Sequence, residues 1–378
     1  MSTPTPDRLA ATLSTIDGIG PLDTVAMTTA GAHLDALTKP PGSLGRLEAV
    51  AIQLAGITGR ADAEIDRRAL VIAAGDHGVT AQGVSAYPSE VTSQMVANFV
   101  AGGAAINVLA AAVGASVTVV DVGVAGDLGG PAEGRSHGTG GRLIRARVRA
   151  GTADMSQGPA MTRAEASAAI EVGLTVVDDL RADGVELLGI GEMGIGNTTA
   201  ASALTAVLTG RPPRAVTGRG TGVDEATWAH KVAVVERAIA VNAPDTRDPL
   251  AVLAAVGGLE IAALVGVILG AVACRLPIVL DGFITGSAVL VAAALAPAVP
   301  ARVLAGHRSV EPGHDAIFEH LGLEPLLQLD LRLGEGTGAA LAIGLIDAAV
   351  RIRDGMATFS SAAVSGPAVP TGTAEGRP

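Results

Sequence analysis

The chain has 378 residues, with 37 acidic against 26 basic side chains, a net charge of -11, and only one Trp, one Tyr and four Phe. An acidic chain disfavours a phosphate-backbone partner, and so few aromatics leave no stacking platform for single strands, so no nucleic acid is expected as a partner. A lone cysteine, Cys274, makes no internal disulfide, and the N-terminal MSTPTPDRLAATL has no basic end leading into an apolar core, so the expected compartment is cytoplasmic.

In chain order, segments 10–16 and 44–57 read as helices, and no strand is evident before residue 60. Apolar runs rich in Val, Ile and Leu come next at 69–74, 116–122, 185–190, 277–280, 302–305 and 326–329, separated by longer Ala-rich segments at helical spacing. That alternation predicts an α/β fold, a doubly wound, mostly parallel, Rossmann-like sheet with helices on both faces. The mean hydropathy is +0.46. Yet the uncharged stretch 261–274, between Glu260 and Arg275, is too short for a bilayer and reads as a buried helix, so no membrane span is expected. Segment 339–353 is again helical. The expected division is a small helical domain from 1–60 plus 339–360, an α/β nucleotide-binding catalytic domain over 61–338, and a disordered Ala/Gly/Pro/Ser/Thr tail over 361–378.

The residues just after each run carry the chemistry. AAGDHG (73–78), VVDVG (119–123), GIGEMGIGNTT (189–199), VLDG (279–282) and LAGHRS (304–309) place polar groups and glycines at the carboxyl ends of the strands, where open α/β sheets bind ligands. The 189–199 segment has four glycines between a strand and a helix. Such a turn lets backbone N–H groups converge on an anion at a helix N-terminus, or else serves as a tight turn capped by Asn197 or Thr198. It is no Walker loop, since Gly-Lys-Ser and Gly-Lys-Thr are absent from the chain. Of the 26 basic residues only Lys39 and Lys231 are lysine, which singles them out as positions where a compact ammonium is needed in place of a guanidinium.

Other constellations are weaker. Asp76 and His77 with His307, His314, Asp315 and His320 offer nitrogen and oxygen donors, but no His-Glu-x-x-His and no cysteine cluster accompanies them, so no metal is expected. Asp178-Asp179 resembles an acidic pair that binds phosphoribosyl diphosphate and magnesium, but Leu-Arg-Ala follows it, as at a helix terminus. Ser287 lacks the Gly-x-Ser-x-Gly elbow. In LDLRLGEGTGAAL (329–341), Glu335 stands alone between glycines where an apolar run becomes a helix, either as a solvated loop residue or as a functional acid.

KPPGSLGRLE (39–48), AAGDHGVTAQGVSAYPSEVTSQMV (73–96), GEMGIGNTTAASAL (191–204), GRGTG (218–222), VGGLEIAAL (256–264), LDGFITGSA (280–288), GHRSVEPGH (306–314) and LRLGEGTGAAL (331–341) occur in one order. Together they resemble the nicotinate-nucleotide–dimethylbenzimidazole phosphoribosyltransferase family over roughly residues 10 to 353. The resemblance implies transfer of phosphoribose from nicotinate mononucleotide to 5,6-dimethylbenzimidazole, giving nicotinate and α-ribazole 5′-phosphate for the lower ligand of cobalamin. It further implies a Rossmann-like domain beside a helical one, and a homodimer. Glu335 matches the family's general base and Glu192 a second carboxylate of the site. Gly194, Gly196, Asn197 and Thr198 match the phosphate loop, Lys231 and Ser309 lie near the phosphoribosyl group by position, and Asp281 is a further candidate there. Ser85, Tyr87, Gln94 and Leu333 resemble the wall of the benzimidazole pocket. The ring nitrogen of nicotinate is already cationic in the nucleotide and takes the glycosidic electron pair on departure, so no metal or other cofactor is expected. A catalytically silent nucleotide- or azole-binding protein is the competing expectation.

Overall fold

The computed structural model describes residues 8–129, 140–220 and 222–366. Its described residues form a six-stranded sheet: β1 (Arg68–Gly75), β2 (Ala115–Gly123), β3 (Arg142–Arg145), β4 (Leu187–Met193), β5 (Ile278–Leu280) and β6 (Val303–Ala305). The order is β3-β2-β1-β4-β5-β6, and every pairing is parallel. Strand order therefore reverses between β1 and β4, which opens a crevice at their carboxyl ends where the two directions of winding diverge. The central strands are buried on both faces, which explains their mostly apolar character: all seven residues of β4 are buried, Glu192 at its end among them.

Two features differ from the expected elements. Segment 326–329 is no strand; it contributes a single parallel bridge from Leu327 to His307, with Arg308 donating to the Leu327 carbonyl at 2.8 Å. The chain then turns at Asp330, whose φ is +54°, so the apolar run ends before it can pair further. The edge strand β3 was not expected, because RLIR alternates arginine with short apolar runs and carries little of the signature of a buried strand.

Helices cover the sheet. The most apolar, Leu259–Ala273, has thirteen of its fifteen residues buried, as a helix apolar on all sides must be. It packs against Arg163–Ala182 through small residues. A Cβ added at Gly173 would overlap the Ala263 carbonyl oxygen, and one at Gly266 the Ile170 carbonyl oxygen, so the two backbones touch without intervening side chains. The stretch Glu90–Ala112 has the length and apolarity of a membrane span, but it is two helices, Glu90–Ala101 and Ala105–Ala112, broken where Gly102 turns left-handed at φ +85°.

The chain divides into two compact units, Met1–Leu22 with Glu64–Gly344, and Asp23–Ala63 with Leu345–Pro378. The first helix, Arg8–Gly18, thus belongs with the sheet instead of the small helical unit. Its Leu9 and Ile16 join the main core, and Arg8 donates to the Thr175 hydroxyl at 2.7 Å and pairs with Asp178. In the smaller unit, Leu34, Leu37 and Ala51 pack with Ile352 and Met356, Asp23 caps the helix Thr24–Ala36 through the Ala26 N–H at 2.9 Å, and Lys39 pairs with Glu48 at 2.8 Å. One of the two lysines is therefore structural. The tail expected to be disordered lies, from residue 367 onward, outside the described residues.

Candidate active site

Four strands deliver polar groups to one edge: Asp76 and His77 after β1, Glu192 within the end of β4, Asp281 after β5, and His307 with Ser309 after β6. A cavity of about 730 Å³ opens there, within the usual range for a small-molecule site. Glu192, Gly194, Asn197, Thr198, Ser309 and Glu335 line it, and Tyr87 and Leu333 stand at its rim, 51% and 56% exposed.

Glu335 occupies the turn that starts the helix Thr337–Gly355. Its φ of +64° is a left-handed conformation that non-glycine residues adopt at a cost of roughly 1–3 kcal/mol. The surrounding structure enforces it. Asp281 accepts the N–H groups of Gly336 (3.0 Å), Gly338 (2.6 Å) and Ala339 (3.2 Å), capping the helix from the neighbouring strand end. A Cβ at Gly191 would overlap the Gly336 backbone, and one at Gly338 the His307 ring, so β4 and β6 press directly on the turn. Asp281 was a candidate for the phosphoribosyl group; its oxygens instead bond three backbone amides, and it acts on the site by holding Glu335 in place.

The Glu335 side chain is 7% exposed, and its Oε2 is buried with no hydrogen-bond partner. Burial, with the Asp281 carboxylate nearby, pushes its pKa up to about 7. Glu192 is pushed further, to about 8, by burial and by Asp281, Glu260 and Glu335, despite a hydrogen bond from the Asn197 amide. Two carboxyls on one wall thus titrate near neutrality, the range in which a group can both take and return a proton.

The glycine-rich turn begins the helix Asn197–Thr209, with Gly196 at φ +94° as its N-cap residue. Lys231, on the helix Glu225–Asn242, is 1% exposed and donates to the Thr198 hydroxyl at 2.7 Å. Burial pushes its pKa down to about 8, against the pull of the Glu311 carboxylate. A helix N-terminus and an ammonium therefore meet at one point, an arrangement suited to a phosphate. Ser309 is fixed from behind, its N–H donating to His314 Nδ1 at 3.0 Å.

Beneath that turn His77 bonds Glu260 at 2.6 Å, both wholly buried. Burial alone would lower the imidazole pKa, but the Glu260 carboxylate outweighs it and the pKa is raised. Asp76 accepts the Ala125 N–H at 2.7 Å. Both strand-end residues thus spend side-chain atoms on neighbouring elements, Asp76 on the Ala125 amide and His77 on Glu260, and neither lines the cavity. The Asp178-Asp179 pair lies on the helix Arg163–Ala182, and Ser287 spends its hydroxyl on the Ile284 carbonyl at 2.7 Å. Among the described residues no group of three or more His, Cys, Asp or Glu side chains could hold a metal ion.

Ser85 and Gln94 do not line the cavity. Ser85 accepts the Tyr87 N–H at 3.1 Å, and Gln94 is exposed on the helix Glu90–Ala101, where Val91 and Met95, one turn apart, face the cavity. Those two, with Phe283, Ile284, Glu311 and Arg332, are lining residues that sequence reasoning missed. All six lie inside the quoted blocks, Val91 and Met95 in 73–96, Phe283 and Ile284 in 280–288, and Glu311 and Arg332 in 306–314 and 331–341, so a signal was present; for Val91 and Met95 the helical spacing was a second one.

A parallel α/β sheet with a phosphate-type loop and near-neutral carboxyls at its switch point defines a nucleotide-handling transferase, and the phosphoribosyltransferase family description matches residues 19–364. The chain is 58% identical over 351 residues to the nicotinate-nucleotide–dimethylbenzimidazole phosphoribosyltransferase of Chloroflexus aggregans, covering 93% of this chain and 97% of that one. It is 55% identical over 352 residues to the enzyme of the same name from Roseiflexus castenholzii, with the same coverage. The crystal structure of CobT from Thermus thermophilus superposes with a TM-score of 0.84 at 51% identity, covering 90% of this chain and 99% of that chain. The chain belongs to the nicotinate-nucleotide–dimethylbenzimidazole phosphoribosyltransferase family.

Proposed function

We propose that the chain transfers the phosphoribosyl group of nicotinate mononucleotide to 5,6-dimethylbenzimidazole, releasing nicotinate and forming α-ribazole 5′-phosphate, a building block for the lower ligand of cobalamin. The observation that carries the residue roles is the placement of Glu335: a buried carboxyl with a pKa of about 7, one oxygen unpartnered, on the wall of a cavity that Thr198 also lines, with Lys231 bonded to the Thr198 hydroxyl from behind.

In this reading the 5′-phosphate lies at the 194–198 turn with Lys231 and Ser309, and the azole lies against Tyr87 and Leu333 near Glu335. The azole attacks C1′ through one ring nitrogen and loses the proton on the other to Glu335. Nicotinate departs with the electron pair of the glycosidic bond, which neutralises its ring nitrogen, so the leaving group needs neither an acid nor a metal. Attack opposite the leaving base inverts β to α. Glu192, with a pKa raised to about 8, faces the ribose, where the positive charge developing at C1′ favours its ionised form. The same reading includes a homodimer and a cytoplasmic location.

Incubating purified protein with both substrates and separating the products by chromatography tests the reading. Nicotinate and α-ribazole 5′-phosphate should appear in equal amounts. Binding of both compounds without nicotinate release would favour a non-catalytic nucleotide- and azole-binding protein.

A further inference from the structure

Glu311 precedes the helix Pro312–Leu321 as its N-cap residue, yet its side chain makes no capping bond. An acid at that position ordinarily turns back to accept an N–H from its own helix. Here the carboxylate, 7% exposed, reaches to the 218–220 turn and accepts the Gly220 N–H at 2.8 Å. Gly218 packs so tightly on it that a Cβ there would overlap Oε2, and that oxygen is buried without a hydrogen-bond partner.

Gly220, at φ +54°, is the residue that closes over the phosphate end: a Cβ on it would lie 3.1 Å from the Thr198 hydroxyl and 3.3 Å from the Lys231 ammonium. A carboxylate beside an anion site opposes the anion electrostatically, so its retention there calls for a positive use. The charged groups facing it are Lys231 and Arg332, both of which hold its pKa below what burial alone would set. Arg219 and Glu225, on the outer side of the same turn, pair with each other.

We propose that Glu311 is a positioning residue for the nucleotide: its carboxylate forgoes capping its own helix to hold the Gly220 turn against Thr198 and Lys231, so that turn, hydroxyl and ammonium converge on the 5′-phosphate. This rests on the placement of the phosphate at the 194–198 turn.

Glu311→Asp separates holding from folding. Aspartate is a favoured N-cap residue, so the shorter side chain can cap Pro312–Leu321 and preserve stability, but it cannot reach Gly220. The expected result is a KM for nicotinate mononucleotide raised roughly tenfold or more, with kcat at saturation within about threefold of wild type and Tm not lowered. Glu311→Gln keeps an acceptor oxygen for Gly220 and should restore KM to within about threefold. An unchanged KM in Glu311→Asp, or a loss confined to kcat, overturns the proposal, as does a Gln variant no better than Asp. Lys231→Ala in parallel separates the two readings. If it too leaves the nucleotide KM unchanged, the phosphate has been placed wrongly; if it raises KM while Glu311→Asp does not, only the role of Glu311 fails.

Discussion

Replacing Glu335 by Gln keeps the shape of the side chain and removes its basicity, with two separate consequences. The first is kinetic: loss of a general base costs about 10²-fold or more in kcat, with substrate binding preserved. In the wild type, kcat/KM should rise with pH and level off above about 7, because the ionised form is the active one. The second is energetic. The folded structure raises this carboxyl from 4.5 to about 7, so between those values the folded chain binds more protons than the unfolded one, and stability falls as pH rises. Above the folded value the full cost is about 3 kcal/mol, from 1.36 kcal/mol per unit. The amide escapes this cost but brings its own, an unsatisfied NH₂ where Oε2 stands, worth roughly 1–3 kcal/mol at every pH. Comparing wild type and Glu335→Gln by urea unfolding at pH 5 and pH 8 cancels that constant part. The variant should gain about 2.5 kcal/mol on the wild type between the two pH values, since part of the cost is already present at pH 5, while losing turnover. Near-normal turnover removes Glu335 from the mechanism, and an identical stability difference at both pH values shows that its carboxyl is not perturbed.

Lys231→Arg keeps the charge but places a planar fork where a 1%-exposed ammonium meets Thr198, so kcat/KM for the nucleotide should fall roughly tenfold, about 1.4 kcal/mol, while dimethylbenzimidazole binding changes little. A defect confined to the azole would place Lys231 on the wrong side of the site. Exhaustive EDTA treatment should leave activity within a factor of about two, because the cationic leaving group needs no Lewis acid; recovery on adding Mg²⁺ after a loss would contradict this. Gly266→Ala forces the helices Leu259–Ala273 and Arg163–Ala182 apart and should cost roughly 1–3 kcal/mol in denaturant unfolding, and an unchanged midpoint would mean that the contact is loose. The proposed dimer predicts a light-scattering mass of twice the 37.3 kDa chain; a value at the monomer mass would exclude it.

Much of the fold was legible because buried parallel strands have a composition of their own. The run 69–74 is apolar on both faces, as is 187–190, and the glycines at their carboxyl ends announced the crevice. The four-residue β3 and the single bridge at Leu327 were not legible, since a short edge element makes too few contacts to leave a pattern. In the site, Glu335 and Lys231 stood out through residue type and neighbours. Asp281 shows the limit of that approach: an acid at a strand end reads the same whether it faces a ligand or caps a helix fifty-five residues further on. Ser85 and Gln94 stand outside the cavity lining for a related reason, because proximity in sequence to a cavity wall does not say which face of a loop or helix is turned inward.

The crowding of glycine backbones around Glu335 and the 194–198 turn bears on how the enzyme can be redesigned. At Gly191 and Gly338 no side chain fits without displacing a neighbouring strand or ring. The packing behind Glu335 is thus main chain against main chain and offers a protein engineer almost nothing to vary. The rim is built from side chains, and Tyr87 and Leu333 are more than half exposed, free to change size without disturbing any strand. With the azole placed as proposed, libraries aimed at larger or smaller acceptors belong at those two positions and at Val91 and Met95, which also line the cavity, where acceptor preference can drift while the chemistry stays where it is.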